Sequence, residues 1–359
     1  LRLAEHRARL QLSHLTGREH VVLTGRAATA LWAVLRVHLR PGARLLLPAN
    51  TCYITLWAAL QARIIPVLID TDPDTGAAHP PADGANAALP CHMYGIPAPM
   101  PAWQAWGETH AALVIEDAAL ALGGKCESRP CGGYGAAALL SFGLGKIVDI
   151  ELGGALVTDD ARLAAEVERL LADAPLWSES LARMTREWND LYWALHRHEN
   201  SPSRLEALYP ALFERYAPLV RYRLPADYWD DLPAALDALS ANTAARRERA
   251  QAWRSAFSAL SHPAIRLLST HDALWRFPIF VPAPQRADAL QALWDCGVDA
   301  TCWYPALQPM LRALQPGAQP DPTPSAARWS AEVITLPLAQ PLSQQLLSRA
   351  AHAVSDCLG

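Results

Sequence analysis

The first 160 residues alternate short apolar runs with segments of helical periodicity, and that rhythm restricts the chain to an α/β architecture with a largely parallel sheet. Val21-Val22-Leu23 is followed by Thr24-Gly25-Arg26 and a helical run over 27–39 that Pro41-Gly42 stops. Leu45-Leu46-Leu47 closes at Pro48, a helix follows near 56–62, and the apolar run 64–69 turns at Asp70-Thr71-Asp72-Pro73-Asp74. Residues 87–91 and 112–115 read as further buried strands, the second ending at Glu116-Asp117. Leu139-Leu140-Ser141-Phe142 and Ala155-Leu156-Val157-Thr158 read as hairpin-like strands that bracket Lys146. Parallel sheets present their chemistry at the carboxyl ends of the strands, so the residues just after these runs are the first candidates for a site.

From about 161 to 260 the pattern is mostly helical, with many aromatics between Trp177 and Trp229 and a break at Ser201-Pro202-Ser203, where an insertion would sit. Beyond 264 it changes to short elements: 275–281 and 333–338 are strand-like, 287–296 is helical, and 315–325, rich in Pro, Gly and Ser, reads as a surface loop. The expected division is a large domain over 1–245, carrying a helical insertion at about 174–216, and a smaller C-terminal α+β domain over 246–359.

Composition removes several classes of function. A formal charge of −4 leaves no excess of Lys and Arg for a nucleic-acid backbone. The 7 cysteines are odd in number and none are spaced C-x-x-C, so they read as small buried hydrophobes in a reducing compartment rather than zinc ligands. The first ten residues hold Arg2, Glu5, His6, Arg7 and Arg9, with no apolar signal core, and no run approaches the roughly 18 apolar residues of a membrane span. The expectation is a cytoplasmic globular enzyme with a small-molecule substrate, no nucleic-acid partner and no membrane partner.

Of 31 basic residues only two are lysines, Lys125 and Lys146. Arginine replaces lysine wherever only charge matters, but a guanidinium stays protonated and cannot act as an amine nucleophile. Lys146 follows Ser141-Phe142-Gly143-Leu144-Gly145, a backbone that a ligand can approach closely. A phosphate-binding P-loop is excluded by Ile147 after the lysine and Leu140 in place of Gly, and a dinucleotide fingerprint by the lack of Gly at 148. Lys125, between Gly124 and Cys126, reads as a surface charge.

Pyridoxal phosphate asks for a lysine, an acid for its pyridine nitrogen, donors for its phosphate and something packed on its ring. Asp117, directly after an apolar strand, is a candidate acid; the same residue also reads as a solvated strand-end turn. Thr24-Gly25-Arg26-Ala27 follows a strand and opens a helix, where free backbone N–H groups attract an anion, although helix starts of this composition are common.

Read together, these segments resemble the DegT/DnrJ/EryC1/StrS aminotransferase family over nearly the whole chain. The likeness is carried by Thr24-Gly25-Arg26-Ala27-Ala28, Arg40-Pro41-Gly42-Ala43-Arg44, Pro48-Ala49-Asn50-Thr51, Pro90-Cys91-His92-Met93-Tyr94-Gly95-Ile96-Pro97-Ala98, Ile115-Glu116-Asp117-Ala118-Ala119, Ser141 to Lys146 and Gly153-Gly154-Ala155-Leu156-Val157-Thr158. Further on, Trp303-Tyr304-Pro305-Ala306-Leu307-Gln308-Pro309 looks like the family's aromatic-Pro-x-Leu-x-Pro segment.

The resemblance implies a type I pyridoxal-phosphate fold and a homodimer with both active sites at the interface. It implies Lys146 as the residue that holds the cofactor and moves protons, Asp117 on the pyridine nitrogen, and Gly25, Arg26 and Ser141 on the phosphate. An aromatic over the ring is implied near Cys52, which makes Tyr53 the stacking partner. Arg221-Tyr222-Arg223-Leu224 stands where the partner subunit normally offers Asn-Tyr-Arg-Met, so Arg221 would reach the phosphate across the interface; it also reads as part of a surface basic cluster. His92 and Tyr304 are candidate substrate residues, and both also read as core side chains.

Three departures set this chain apart: Leu120 and Leu122 stand where Gln and His are usual, Leu152 replaces an acid with Glu151 one residue earlier, and the stretch between Asp173 and Tyr216 has no counterpart in shorter members, so it would reshape the substrate mouth. The implied activity is transfer of an amino group from glutamate or glutamine, through the pyridoxal and pyridoxamine forms of the cofactor, to a keto group of a nucleotide-linked sugar. The alternatives are a non-sugar keto substrate, such as a cyclitol or natural-product intermediate, and a silent cofactor-binding regulatory or assembly subunit. Related dehydrating enzymes carry His at the lysine position, so Lys146 speaks against that chemistry.

Overall fold

In the computed structural model, residues 2–197, 206–269, 274–316 and 322–359 are described. The principal sheet has seven strands: β1 (His20–Thr24), β2 (Arg44–Pro48), β3 (Ile65–Ile69), β4 (Ala87–Ala88), β5 (Leu113–Asp117), β6 (Ala137–Ser141) and β7 (Gly154–Thr158). Their order is β1-β7-β6-β5-β4-β2-β3. β3, β2, β4, β5 and β6 run parallel, and β7 lies antiparallel between β6 and β1. The central strands are buried along almost their whole length, as a sheet covered on both faces requires, and this is why they read as continuous apolar runs.

The expected elements are present with shifted ends. The helix expected near 56–62 starts at Tyr53, with the Cys52 carbonyl accepting the first helical hydrogen bond from the Thr55 amide. The expected strand over 87–91 pairs continuously only at Ala87–Ala88, because Pro90 has no N–H to give the ladder; its carbonyl still accepts from the Asp117 amide at 2.9 Å, and Cys91 beyond it forms an isolated parallel bridge with Asp117. The loop expected over 315–325 lies partly outside the described residues, and from Pro324 the chain is already helical, proline being tolerated in the first turn.

A second apolar cluster, including Trp253, Phe257, Ile279, Leu293, Leu336, Leu347 and Val354, surrounds the antiparallel sheet β8 (Arg266–Leu267), β9 (Arg276–Phe280) and β10 (Val333–Pro337). The helix Leu239–Leu260 runs through position 245, giving Leu239 to the first cluster and Trp253 and Phe257 to the second.

The stretch 174–216 contributes the helices Glu179–Arg197 and Tyr209–Tyr216; the break expected at Ser201-Pro202-Ser203 lies outside the described residues. Leu181, Trp188 and Tyr192 form the buried stripe of the longer helix. Trp188 is wedged among Tyr53, Trp57, Tyr192 and Tyr216, with ring centroids 4.9–5.6 Å away, and its indole N–H donates to the Tyr53 hydroxyl. Trp188→Ala is expected to destabilise the protein by about 3–5 kcal/mol, the usual cost of emptying a buried tryptophan site, read as a lowered midpoint in urea at unchanged slope. A loss under 1 kcal/mol would mean that this helix is not anchored through Trp188.

Candidate active site

The carboxyl ends of β1, β2, β5 and β6 converge on a cavity of about 460 Å³, lined among others by Arg26, Cys52, Tyr53, Asp117, Ser141, Lys146 and Tyr304. Of the ten residues singled out from the sequence, these seven meet there, and Gly25, His92 and Arg221 do not line it.

Lys146 sits on the turn between β6 and β7. Gly145 has φ 77°, a conformation that side chains rarely adopt, and its amide donates to the Asp149 carboxylate at 2.7 Å. The turn is braced from outside: the Trp275 indole N–H donates to the Gly145 carbonyl at 2.9 Å, and the Asn242 amide to the Ile147 carbonyl at 2.6 Å. The Lys146 amine lies 5.2 Å from the centre of the Trp275 ring. Burial, aided by Arg26 and opposed by Cys52 and Asp117, pushes this amine below the ordinary lysine value of 10.5.

Asp117 closes β5. One carboxylate oxygen accepts from the Ala119 amide at 3.0 Å, and the other faces the Cys91 thiol at 3.5 Å. Burial pushes its carboxyl up, against the pull of the Ala119 amide and of Lys146.

Arg26 immediately precedes the helix Ala27–His38, whose first residues, Ala27 and Ala28, also line the cavity. Its guanidinium lies 5.7 Å from the centre of the Tyr222 ring, and among the described residues no carboxylate pairs with it. An unpaired guanidinium beside the free N–H groups of a helix start is an anion site. Gly25 serves it from behind: a Cβ there would lie 2.2 Å from the Tyr222 carbonyl oxygen, so only glycine lets Tyr222 close over Arg26. Gly25→Ala is expected to cost about 1–3 kcal/mol through overpacking and to weaken binding of pyridoxal phosphate. Wild-type thermal stability together with wild-type cofactor affinity would refute that account.

The remaining sequence candidates divide. Tyr53 faces the cavity, held edge-on to Trp57 and Trp188, and Tyr304 stacks on Trp275 at 5.7 Å. Burial pushes both phenols up, which keeps them neutral. His92 is not a cavity residue: it is fully buried, Nε2 donates to the Glu116 carboxylate at 2.7 Å, and Nδ1 accepts from the Ala98 amide at 2.8 Å. Both ring nitrogens are committed to the core, so the expected substrate contact from His92 does not form. Arg221 is exposed over the Trp32 ring at 5.5 Å, while its neighbour Tyr222 is the member of that segment that lines the cavity. Leu120 and Leu122 are buried in the core, and the displaced Glu151 still lines the cavity.

Sequence reasoning did not single out Trp275, Tyr222 or the wall formed by Thr185, Asn189, Asp190 and Tyr192. The last four belong to the helix Glu179–Arg197; its aromatic periodicity announces a buried face but not what that face covers.

The donor set fits a pyridine aldehyde phosphate: an amine with lowered basicity, a partly buried carboxylic acid, a guanidinium with no described carboxylate partner at a helix start and aromatic walls share one cavity. Comparison with known proteins agrees. Residues 9–180 and 232–355 match the model of the DegT/DnrJ/EryC1/StrS aminotransferase family. The dTDP-3-amino-3,4,6-trideoxy-alpha-D-glucose transaminase of Streptomyces venezuelae is 29% identical over 357 residues, covering 94% of this chain and 83% of the relative. The L-glutamine:scyllo-inosose aminotransferase of Streptomyces griseus is 34% identical over 158 residues, 42% of this chain and 37% of the relative. NtdA from Bacillus subtilis, solved with bound cofactor PMP, superposes with a TM-score of 0.73 at 20% identity, covering 98% of this chain and 77% of that one, which establishes a shared fold.

Proposed function

From the premise that this chain belongs to the DegT/DnrJ/EryC1/StrS family and is a pyridoxal-phosphate-dependent aminotransferase, we propose that it moves an amino group from glutamate or glutamine to a keto group of a nucleotide-linked sugar, with Lys146 and Asp117 as its catalytic residues. The observation that carries this reading is that a partly buried amine and a partly buried carboxyl line one cavity beside an unpaired arginine. The substrate class is supported by the Streptomyces venezuelae relative, which is named for a dTDP-linked amino sugar.

When bound, pyridoxal phosphate supplies an aldehyde that condenses with amines and a ring that accepts electrons. Arg26, Ser141 and the first amides of the helix Ala27–His38 would hold its phosphate, with Gly25 letting Tyr222 seal that end. Asp117, fixed by the Ala119 amide, would keep a proton at the ring nitrogen. Tyr53 and Cys52 would pack on the ring. Lys146, neutral at lower pH than a free lysine, would hold the aldehyde through its amine and act as general base and acid for the proton at the substrate carbon. Arg221, exposed on this chain, completes the phosphate site of a second copy, and Leu144, 75% exposed on the turn that bears Lys146, packs against that copy in a homodimer.

A second reading, amination of a cyclitol, is favoured by the match to the scyllo-inosose enzyme and by charge: Arg26 and Lys146 are the only cations among the described lining residues, which leaves none of these residues for a nucleotide diphosphate. The test is a two-step one. Glutamate should bleach the visible band of the loaded enzyme, and a dTDP-linked keto hexose should restore it; restoration by scyllo-inosose alone would replace the sugar by the cyclitol, and no bleaching by either glutamate or glutamine would remove the proposed donors.

The basicity of Lys146 makes a separate expectation. Only the neutral amine attacks an aldehyde, so the rate of cofactor uptake by the apoprotein should rise with pH and level off below 10.5, the ordinary lysine value, since burial lowers the folded-state pKa. Stopped-flow absorbance on Lys125→Arg protein isolates the effect; a midpoint at or above 10.5 would contradict it.

A further inference from the structure

The family match breaks between residues 180 and 232, and the helix Glu179–Arg197 lies almost wholly in that gap. It nevertheless forms one wall of the cavity. Trp188 and Tyr192 pin it to Tyr53, the first residue of the helix Tyr53–Gln61, and this contact turns Thr185, Asn189 and Asp190 toward the opening. Thr185 spends its hydroxyl on the Leu181 carbonyl at 2.9 Å. Asn189 and Asp190 are exposed, and neither side chain hydrogen-bonds another described residue.

We propose that the helix Glu179–Arg197 is the substrate-recognition element of this enzyme, with Asn189 and Asp190 holding hydroxyl groups of the ring to be aminated. This deepens the function proposed above and rests on its reading of the cavity. The cofactor reading already employs Arg26, Asp117, Ser141 and Lys146. Besides the phenols of Tyr192, Tyr222 and Tyr304, the polar groups left over include the Asn189 carboxamide and the carboxylates of Asp190 and Glu151, with no additional cation among the described lining residues. A carboxamide offers two N–H donors and an acceptor, and a carboxylate offers acceptors only. Side by side they match vicinal hydroxyls, each of which gives one hydrogen and accepts another. The pair brings no cation for a phosphate, so the helix reads the ring and not the nucleotide. The ring comes either as the hexose of a nucleotide sugar or as a free cyclitol; both offer the hydroxyls.

Calorimetry on cofactor-loaded enzyme distinguishes these, with dTDP-glucose, dTDP and myo-inositol as probes. Asn189→Ala and Asp190→Ala should each weaken binding of the ring-bearing probe on the order of tenfold, the effect of losing a hydrogen bond to a strong partner, and leave dTDP binding unchanged. Arg186→Ala, on the exposed side of the same helix and paired with Glu179, should change neither. If the wild type binds dTDP-glucose or myo-inositol and both variants match it, or if dTDP affinity falls in parallel with dTDP-glucose, the assignment is overturned while the aminotransferase reading stands. If the wild type reacts with glutamate but binds neither dTDP-glucose nor myo-inositol, the hydroxylated-ring substrate class fails, and this assignment with it.

Discussion

Lys146→Ala should abolish turnover, by at least about 10³-fold, and the purified variant should lack the visible colour of lysine-bound cofactor. Two functions disappear together. The amine that attaches the aldehyde is gone, and so is the group that carries the proton, a role that alone contributes about 10²–10⁴-fold. Lys146→Arg should be no better, since guanidinium keeps its proton and cannot attack a carbonyl. Stability is expected to change little or to rise slightly, because burial disfavours the charged amine in the native state. Lys125 cannot substitute: it lies exposed in the two-residue strand Lys125–Cys126 and is not among the cavity residues. A coloured Lys146→Ala enzyme with turnover within tenfold of wild type would contradict the assignment.

Asp117→Ala should lower turnover by about 10²–10³-fold, the range seen when a preorganised group stabilising transition-state charge is removed. Without a carboxylate opposite it, a ring nitrogen sheds its proton and the ring withdraws electrons less strongly. Unlike the lysine variant, this one should still take up cofactor and be coloured. Asp117→Asn separates charge from position: a carboxamide oxygen can keep the Ala119 hydrogen bond while the negative charge is lost. It should therefore restore cofactor affinity relative to Asp117→Ala without restoring turnover. Equal recovery of both in the Asn variant would reduce Asp117 to a structural role.

Local logic in the amino-acid sequence picks out Lys146 and Asp117 as candidates, through a strand that ends, a backbone stripped of side chains and one of only two lysines in an arginine-rich chain, but Asp117 reads equally as a solvated turn, and it is the family resemblance that joins the two. Arg26 and Ser141 come from the family resemblance, and the sheet order brings β1 and β6 close enough for them to share a cavity, with only β7 between. What depends on tertiary contact is not legible there. His92 sits in a motif beside a buried strand, and nothing in the sequence says that Glu116 and Ala98 occupy both its ring nitrogens. Trp275 is about 130 residues from the turn it braces, a contact without sequence signature. The insertion is visible as an aromatic-rich helical stretch, but its periodicity fixes only which side is buried. Tyr53 is what it is buried against, and that contact is what brings Asn189 and Asp190 to the mouth.

The central claim is a covalent bond between the cofactor and the Lys146 amine, and the chain's two lysines make it directly readable. Borohydride reduction of the loaded enzyme, followed by proteolysis and mass spectrometry, should place the pyridoxyl group on the peptide that contains Lys146 and leave Lys125 unmodified. Label on Lys125 alone, or none on either lysine in coloured protein, would contradict the account.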